Sequence, residues 1–258
     1  MGRTEDGSAG DADYGRIGTG YADYRRPEAR IAAVIEQALA GAETVVNVGA
    51  GTGSYESRAF AVTAVEPSAT MRAQRPAHLS PAIDAVAEAL PFPDRSFDAA
   101  MTTYSVHQWS DLKAGLREMR RVARGPVVIV GGDPDRVCDY WLHEYAPEMM
   151  EIEARRYPTV REIAETLGGT VEVTSVPIPF DCTDGFVEAY YGRPEGLLDP
   201  EARKACSAWS FVDEQTAAGY VESLRAALES GAWDARHGHL RTQPAYEGSL
   251  ILIKALPE

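Results

Sequence analysis

The chain has 258 residues, a net charge of −14 and a composition that is ordinary for a globular protein. Its length fits one α/β domain with a sizeable insertion. The acidic balance argues against nucleic acids and anionic membrane surfaces as partners, because phosphate groups are bound by basic faces. No apolar run approaches the roughly 20 residues that span a bilayer, and the start of the chain lacks the layout of a signal peptide. Its three cysteines form no C-x-x-C pair, so we expect a cytoplasmic protein with reduced thiols.

In chain order, the first half of the sequence alternates between helical and strand patterns. Residues 1–13 are mostly Gly, Asp and Ser and are expected to be disordered. Pro27 starts a helix with an apolar stripe, and Gly41 ends it. Helices are also expected at 54–60, at 68–74 and from a cap at Ser110 or Asp111. Short apolar runs predict strands at 45–48, 61–65, 82–86, 97–103 and 127–130. This alternation predicts a doubly wound parallel sheet.

The second half of the sequence is less regular. A helical pattern covers 138–156, and Thr159 with Glu162 forms a capping box for a further helix. An alternating strand is predicted at 170–176, and the last strand at 249–255.

About 70 residues separate the last two predicted strands, which is too long for a hairpin turn. They include an amphipathic helix on Tyr220, Val221, Leu224 and Leu228. We interpret this insertion as a lid over a substrate. The predicted organisation is a single domain over 14–258, with lid or substrate-binding parts at 14–40, 138–168 and 180–245.

The most informative stretch joins the first predicted strand to three glycines at alternate positions, Gly49, Gly51 and Gly53. Glycine lets the chain turn tightly there and lets the backbone approach a ligand closely. The second strand ends at Glu66, whose carboxylate can accept hydrogen bonds from both hydroxyls of a ribose. Together these features indicate a nucleoside-containing ligand. The spacing is G-x-G-x-G and not G-x-G-x-x-G, so the dinucleotide fingerprint is not met.

This stretch resembles motif I of class I S-adenosylmethionine-dependent methyltransferases, and two further blocks extend the resemblance. Glu66-Pro67-Ser68 with Met71 looks like the ribose-binding acidic loop of that family. Residues 88–98 are similar to the A-E-x-L-P-F-x-D-x-S-F-D signature of its small-molecule branch, which includes the ubiquinone/menaquinone-biosynthesis C-methyltransferases. The resemblance covers 14–130. It implies an α/β fold with a Rossmann-like seven-stranded sheet, to which the long insertion adds a helical lid between the last two strands.

The resemblance implies S-adenosyl-L-methionine as the cofactor. The expected contacts are Tyr14, Tyr21, Arg26, Asn47, Gly49, Ala50, Gly51, Gly53, Glu66, Pro67, Ser68, Met71, Ala87, Glu88, Ala89, Thr103 and Tyr104. Asn47 departs from the pattern, because the family usually has an acidic residue there. Val86 stands where an Asp often meets the adenine amino group, which leaves Glu88 or the backbone near Ala87 for that contact. Tyr14 and Tyr21 also fit surface aromatics, and Arg25-Arg26 also fits a pair of solvated charges.

Methyl transfer to carbon or oxygen can need a general base. His107 follows the fourth predicted strand, at the edge where open α/β sheets bind ligands, so it is the first candidate for a base or a substrate contact. The alternative is a structural histidine that is hydrogen-bonded to the loop of Trp109 or to backbone. Glu144 is the second candidate, provided that its carboxylate is buried.

Substrate contacts are expected at Trp109, Tyr140, Trp141, Arg193, His237 and Arg241. The segment 236–241 has four cation-capable side chains in six residues. It suits a carboxylate or phosphate group, or it is an exposed loop that offsets acidic charge. His237 and His239 lack a third ligand at helical spacing, so no metal site is predicted.

The sequence therefore predicts an S-adenosylmethionine-dependent methyltransferase (EC 2.1.1.-) that acts on a small, largely apolar metabolite. C- or O-methylation is favoured. An anionic head group on the substrate is a further option. The alternative is a cyclase or rearrangement enzyme that binds S-adenosylmethionine without transferring its methyl group. A nicotinamide-dependent oxidoreductase is disfavoured by the glycine spacing.

Overall fold

The structure is a computed structural model and describes residues 5–7 and 21–258. Its centre is a six-stranded sheet with the order β2-β1-β3-β4-β8-β5. The strands are β1 (Thr44–Val48), β2 (Ala61–Val65), β3 (Ala99–Thr103), β4 (Val127–Gly132), β5 (Thr170–Ser175), β6 (Ile178–Pro179), β7 (Ala245–Tyr246) and β8 (Leu250–Leu256). The first four are parallel, β8 runs antiparallel to both of its neighbours, and β6 pairs with β7 in a separate small ribbon. This is the predicted α/β class, with a mostly parallel Rossmann-like sheet, but the sheet of the described residues has six strands and not the expected seven.

Helices flank this sheet and fill the long insertion. The α-helices of the described residues are α1 (Tyr21–Tyr24), α2 (Ala29–Ala38), α3 (Ala69–Ala73), α4 (Leu112–Val122), α5 (Pro134–Val137), α6 (Pro147–Arg156), α7 (Val160–Leu167), α8 (Pro200–Lys204), α9 (Glu214–Glu229) and α10 (Ala232–His237). Short 3-10 helices lie at Val106–Gln108, Trp141–Glu144, Val187–Tyr190, Pro194–Leu198, Ser207–Phe211 and Gly238–Thr242. Between β5 and β8 the insertion is therefore largely helical.

Both faces of the sheet are buried, as a doubly wound fold requires. Successive valines of β1 point to opposite faces, since side chains alternate along a strand. Val46 packs with Leu116 of α4 and Ile163 of α7. Val45 packs on the other face with Ile31 of α2, in a cluster that also holds much of the insertion. The insertion is thus part of the core on the second face.

Two predicted elements of the first half do not form. The predicted strand at 82–86 is reduced to one bridge between Ile83 and Val65. Pro81 has no N–H to donate, and Ile83 is 39% exposed at this edge, so few contacts would hold a longer strand. Residues 54–60 form turns and not a helix. Seven helical residues would rise only about 10 Å, which is too short to return along a five-residue strand of about 16 Å.

The predicted helix at 138–156 is also broken into two pieces. Trp141–Glu144 is a 3-10 turn, and α6 begins at Pro147. Proline favours the first turn of a helix because its missing N–H would be unpaired there anyway. The predicted tail 1–13 lies outside the described residues except for 5–7, where the Asp6 carboxylate accepts a hydrogen bond from the Ser68 hydroxyl at 2.6 Å. The capping box of Thr159 and Glu162 forms as predicted.

Candidate functional site

The glycine loop that follows β1 has a backbone that only glycine adopts easily. Gly49, Gly51 and Gly53 have φ angles of +67°, +52° and +85°. A Cβ at position 49 would lie 1.9 Å from Oγ of Ser105, so space as well as conformation demands glycine there. The loop is held against β2 by the Ala50 N–H, which donates to the Val65 carbonyl at 2.9 Å.

Glu66 closes this loop from the end of β2. Its side chain is buried, and its two carboxylate oxygens accept hydrogen bonds from the N–H groups of Gly51 at 2.7 Å and Ser68 at 2.8 Å. Burial raises the pKa of Glu66, although the two N–H groups counteract part of this effect. A carboxylate can accept about four hydrogen bonds, so positions remain for a ligand.

The chain turns sharply where β3 ends. Tyr104 has a φ angle of +51°, which is uncommon for a residue with a side chain and often marks a functional site. The turn brings the Ser105 hydroxyl beneath Gly49, and this hydroxyl accepts a hydrogen bond from Nε1 of Trp109 at 2.9 Å. The ends of β1, β2 and β3 therefore meet at one edge of the sheet.

A cleft of about 890 Å³ opens at this edge, and we call it the first pocket. It is lined by Tyr21, Arg25, Gly49, Ala50, Gly51, Thr52, Ser54, Tyr55, Glu66, Pro67, Met71, Val86, Ala87, Glu88, Thr103, Tyr104, Ser105, Gln108, Trp109 and Asp184. Most of these residues belong to the loops after the first three strands of the sheet. The first pocket thus occupies the usual ligand crevice of an open α/β sheet.

An ion pair covers one side of the first pocket. Nε of Arg25 donates to Oδ1 of Asp184 at 2.5 Å, and the Tyr55 hydroxyl donates to Oδ2 of Asp184 at 2.7 Å. The guanidinium lies between the rings of Tyr21 and Tyr104, at 5.3 and 5.0 Å from their centroids. The segment before α2 is therefore bound to the insertion across the cleft.

A second cleft, of about 700 Å³, adjoins the first, and we call it the second pocket. It is lined by Tyr21, Arg25, Tyr104, His107, Gln108, Gly132, Val137, Met150, Glu153, Tyr157, Phe186, Val187, Glu188, Ala205, Cys206, Ser207, Ser249 and Leu250. Tyr21, Arg25, Tyr104 and Gln108 line both pockets. The two pockets therefore meet at these four residues, which we call the junction.

His107 lies in the second pocket, next to the junction. Its ring contacts Tyr157 with 4.6 Å between centroids, and its Nε2 lies 3.2 Å from Nε2 of Gln108. Burial lowers the pKa of His107 well below its usual range, and the nearby Arg156 and Arg25 add to this shift. The imidazole is therefore neutral at physiological pH. Within the described chain, its buried Nδ1 has no hydrogen-bond partner.

Most of the predicted cofactor residues line the first pocket. These are Tyr21, Gly49, Ala50, Gly51, Glu66, Pro67, Met71, Ala87, Glu88, Thr103 and Tyr104, and Trp109, predicted for the substrate, joins them. Gly53, Ser68, Ala89 and Arg26 are not among the residues that line this pocket, and Arg25 lines it in place of Arg26. Tyr14 lies outside the described residues. Glu88 also accepts hydrogen bonds from the Ser110 hydroxyl and the Asp111 N–H.

Asn47 does not line the first pocket but supports it from behind. Its Nδ2 donates to Glu56 at 3.0 Å, and Glu56 forms a buried ion pair with Arg75 at 2.7 Å. Arg75 also donates to the carbonyl of Gly51. An acidic residue at position 47 would place a second carboxylate against Glu56. Asn47 therefore replaces the acidic residue of the family pattern at a place where Glu56 already supplies a carboxylate.

Several predicted substrate and catalytic residues lie away from both pockets. Glu144 is not buried: its side chain is 41% exposed and pairs with Arg236 at 2.8 Å and His237 at 3.0 Å. Arg241 pairs with Glu195 and Asp234. Arg236, His237 and Arg241 of the segment 236–241 thus meet acidic neighbours outside both pockets, which agrees with the exposed-loop alternative.

The other three predicted substrate residues have structural contacts. Tyr140 and Trp141 are core residues, and Nε1 of Trp141 donates to the Tyr191 carbonyl. Arg193 donates to the carbonyls of Cys182 and Ala189. These three side chains therefore stabilise the insertion and do not line either pocket.

The residues that the sequence interpretation missed come from α6 and the insertion. They are Met150, Glu153, Tyr157, Asp184, Phe186, Glu188 and Ser249, together with Tyr55 of the first pocket. No local motif marks them. Their proximity depends on the path of the insertion, and Asp184 lies 159 residues from its partner Arg25.

Comparison with known proteins agrees with this geometry. Residues 46–130 match the sequence model of a family described as "Methyltransferase domain". A structure of a candidate methyltransferase from an antibiotic biosynthesis pathway of Anabaena variabilis ATCC 29413 superposes with a TM-score of 0.83 and 28% identity. The match covers 90% of this chain and 98% of that one. Residues 46–130 therefore carry the sequence pattern of a methyltransferase domain, and the chain shares its fold with the Anabaena protein.

More distant proteins share the fold of the domain. An S-adenosylmethionine-dependent methyltransferase from Thermotoga maritima has a TM-score of 0.55 and 13% identity, over 95% of this chain and 96% of that one. The 4+2 cyclase SpnF has a TM-score of 0.53 and 16% identity, over 94% and 92% of the two chains. In sequence, 62 residues are 40% identical to Uncharacterized protein YafE of Escherichia coli (strain K12), over 22% of this chain. That match spans only 29% of YafE, and the ubiquinone-like branch stays a prediction.

The structure also bears on the membrane expectation. Among residues 5–7 and 21–258, none of the helices is both long enough and apolar enough to cross a bilayer.

Proposed function

We propose that the protein transfers a methyl group from S-adenosylmethionine in the first pocket to a small, largely apolar metabolite in the second pocket. The observation that carries this proposal is the junction, where the two pockets share Tyr21, Arg25, Tyr104 and Gln108. A methyl donor and its acceptor must lie in contact and in line, away from water. Two adjoining clefts at the carboxyl edge of the sheet meet this requirement.

The residues of the first pocket fit an adenosyl ligand. Glu66 keeps acceptor positions for the two ribose hydroxyls while backbone N–H groups fix its orientation. Gly51 leaves open space beside the loop, where even a Cβ would first meet the end of Met71 at 3.4 Å. Ala87 and Glu88 line the wall where the adenine ring of the cofactor would lie. The cofactor supplies a methyl group on a sulfonium, which needs little further activation.

The chain's own task is then to bind, orient and deprotonate the acceptor. Met150, Phe186 and Leu250 give the second pocket an apolar wall suited to a largely apolar body. His107 is neutral and buried, so its imidazole can take a proton from a hydroxyl or an acidic C–H group. If the amide of Gln108 is turned so that its oxygen faces Nε2, then Nδ1 is left as the acceptor. These features support O- or C-methylation with His107 as the base.

Isothermal titration with S-adenosylhomocysteine tests the cofactor. We expect one binding site per chain, and no binding at millimolar ligand would refute the proposal. NAD in the same titration should give no signal.

Transfer itself is tested with methyl-labelled S-adenosylmethionine and a panel of small apolar phenols and enols. Label should move to an acceptor, and substitution of His107→Asn should lower that rate while S-adenosylhomocysteine still binds. A panel member that rearranges or cyclises without gaining label would instead favour the non-transferring alternative.

A further inference from the structure

We propose that the second pocket binds its substrate through a protonated nitrogen, which pairs with the buried carboxylate of Glu188. This inference rests on the proposed function, because it names the substrate class for the same pocket. It reverses the sign of the head group that the sequence suggested. The segment 236–241, which suggested an anion, has both of its arginines paired with acidic neighbours outside the two pockets.

The charges that line the second pocket do not cancel. Arg25 is balanced by Asp184, with their atoms 2.5 Å apart. Glu153 is balanced by Arg156 at 2.8 Å. Glu188 has no ion-pair partner among the described residues, and its oxygens are bound only by Ser249. With His107 neutral, the lining of the second pocket retains one negative charge when Glu188 is ionised.

Glu188 is held in place and still has room for a ligand. It lies in the 3-10 helix Val187–Tyr190 with 6% of its surface exposed, and it lines the second pocket. The Ser249 N–H donates to its oxygens at 2.9 and 3.1 Å, and the Ser249 hydroxyl donates at 2.8 Å. These two donor groups fix the carboxylate but do not fill its four acceptor positions.

The groups that face Glu188 leave its charge largely uncompensated. The phenols of Tyr140, Tyr157 and Tyr246 are neutral neighbours from three other elements. Burial raises the pKa of Glu188 to about 7, Glu153 adds to the rise, and Ser249 with the more distant Arg136 opposes it. A cation placed beside the carboxylate would favour the ionised form. Binding of a protonated amine near neutral pH should therefore release a proton from Glu188.

Aromatic rings complete a site for a cation. Tyr157 and Phe186 line the second pocket together with Tyr21 and Tyr104 of the junction. The face of an aromatic ring attracts an ammonium group, and this attraction grows where water is excluded. An anion would instead meet an uncompensated carboxylate and the negative faces of these rings. The lining thus favours ammonium over carboxylate.

Glu188 is also placed to anchor a substrate and not to touch the reacting atom. It lines only the second pocket, whereas a methyl acceptor has to reach the junction. The substrate class is therefore a small aromatic or aliphatic molecule with a basic nitrogen at one end. The oxygen or carbon that accepts the methyl group lies elsewhere on the molecule, toward His107.

The test uses three probes of matched size on the protein saturated with S-adenosylhomocysteine: 2-phenylethylammonium, 2-phenylethanol and phenylacetate. Isothermal titration should rank the ammonium first, about tenfold tighter than the alcohol, with phenylacetate weakest. Glu188→Gln should lower the ammonium affinity about tenfold and change the alcohol affinity less than twofold. Titration in two buffers of different ionisation enthalpy should reveal proton release at pH 7 for the ammonium alone.

Phenylacetate binding as tightly as the ammonium, or a Glu188→Gln variant that still prefers the ammonium, would overturn the inference. Glu144→Gln is the matched control, because it removes a carboxylate outside both pockets and should leave all three affinities unchanged. Affinity for S-adenosylhomocysteine is measured first on each variant. If that ligand fails to bind, the proposed function fails; if it binds and the ammonium does not, only the present inference fails. Should Glu188→Gln not fold, the ranking of the probes on the unaltered protein still decides.

Discussion

The two pockets of the site are built from different parts of the chain. The first pocket is organised around one backbone loop, with glycines at positive φ and a carboxylate, Glu66, that backbone N–H groups fix. The second pocket is walled by side chains that come from segments as far apart as Tyr21 and Leu250. The path of the chain therefore specifies the first pocket, whereas the side chains that the insertion delivers specify the second. A substitution should be able to disable one pocket and leave the other intact.

The largest expected effect comes from Gly49→Ala, which attacks the backbone path of the first pocket. The new Cβ would collide with Ser105, and alanine is strained at a φ of +67°. We expect the free energy of unfolding to fall by about 4 kcal/mol, from strain and overpacking together. Urea denaturation measures it, and titration should show no binding of S-adenosylhomocysteine.

Gly219→Ala is the control for this prediction. Gly219 lies in α9, and a Cβ there would meet no atom within 4 Å. Alanine should therefore raise stability by about 1 kcal/mol, because it favours the helix. If Gly49→Ala were as well tolerated as Gly219→Ala, the glycine loop would not have the conformation described above.

A smaller effect is expected from Glu188→Gln, which changes only the second pocket. The folded state raises the pKa of Glu188 from its usual 4.5 to about 7, so the folded protein binds this proton more tightly than the unfolded chain does. The resulting stability is full below pH 4.5 and is lost as the pH rises to 7. This shift corresponds to about 3 kcal/mol. Glutamine does not titrate, so the variant should lack this decline.

The free energy of unfolding of both proteins is measured by denaturation at pH 4.5, 6 and 7.5. The decline is read as the difference between the two curves of this free energy against pH. The buried His107 acts in the opposite direction, because its lowered pKa makes the folded state lose stability as the pH falls below 6.5. His107 is present in both proteins, so its contribution cancels in the difference. Parallel curves for the two proteins would show that Glu188 titrates normally and is not held as described.

Glu66→Gln is expected to cost less, and its cost should appear in binding. Glutamine keeps one oxygen but replaces the other with an amide that cannot accept from a ribose hydroxyl or from the Gly51 N–H. Affinity for S-adenosylhomocysteine should fall by about 2 kcal/mol, or about 30-fold. Affinity for 2-phenylethylammonium in the second pocket should not change. A loss at both pockets would mean that Glu66 supports the whole edge of the sheet.

The contrast between the pockets also explains what the sequence could predict. Gly49, Gly51 and Gly53 come directly after the pattern of β1, and Glu66 comes directly after β2. A short stretch of sequence therefore contains both the strands and the residues that bind the ligand. Backbone geometry that depends on glycine is visible in the sequence because few other residues tolerate it. The first pocket was therefore largely predictable, apart from the ion pair of Arg25 with Asp184 that covers one side of it.

The second pocket was not predictable, because the positions of its residues depend on partners that are distant in the sequence. Glu188 stands in a stretch without a motif, and its burial depends on the turn before β8. Arg25 and Arg26 are equivalent in sequence, yet Arg25 turns inward because Asp184 of the insertion pairs with it. Glu144 was a candidate base only if buried, and its pairing with Arg236 and His237 at the surface could not be predicted from spacing alone.

The smallest expected effect comes from the hydrogen bond between Tyr55 and Asp184, which joins the first pocket to the insertion. Tyr55→Phe removes the hydroxyl that donates to Asp184 at 2.7 Å, while the ion pair of Asp184 with Arg25 remains. The free energy of unfolding should fall by about 1 kcal/mol, mainly the net value of the hydrogen bond to Asp184, because the second bond of this hydroxyl, which it accepts from the Glu28 N–H, is long at 3.5 Å. Tyr24→Phe is the matched control, since its hydroxyl donates to the exposed Asp199 and its removal should cost almost nothing. Equal losses in the two variants, measured by urea denaturation, would mean that the contact between Tyr55 and Asp184 is as open to water as the surface.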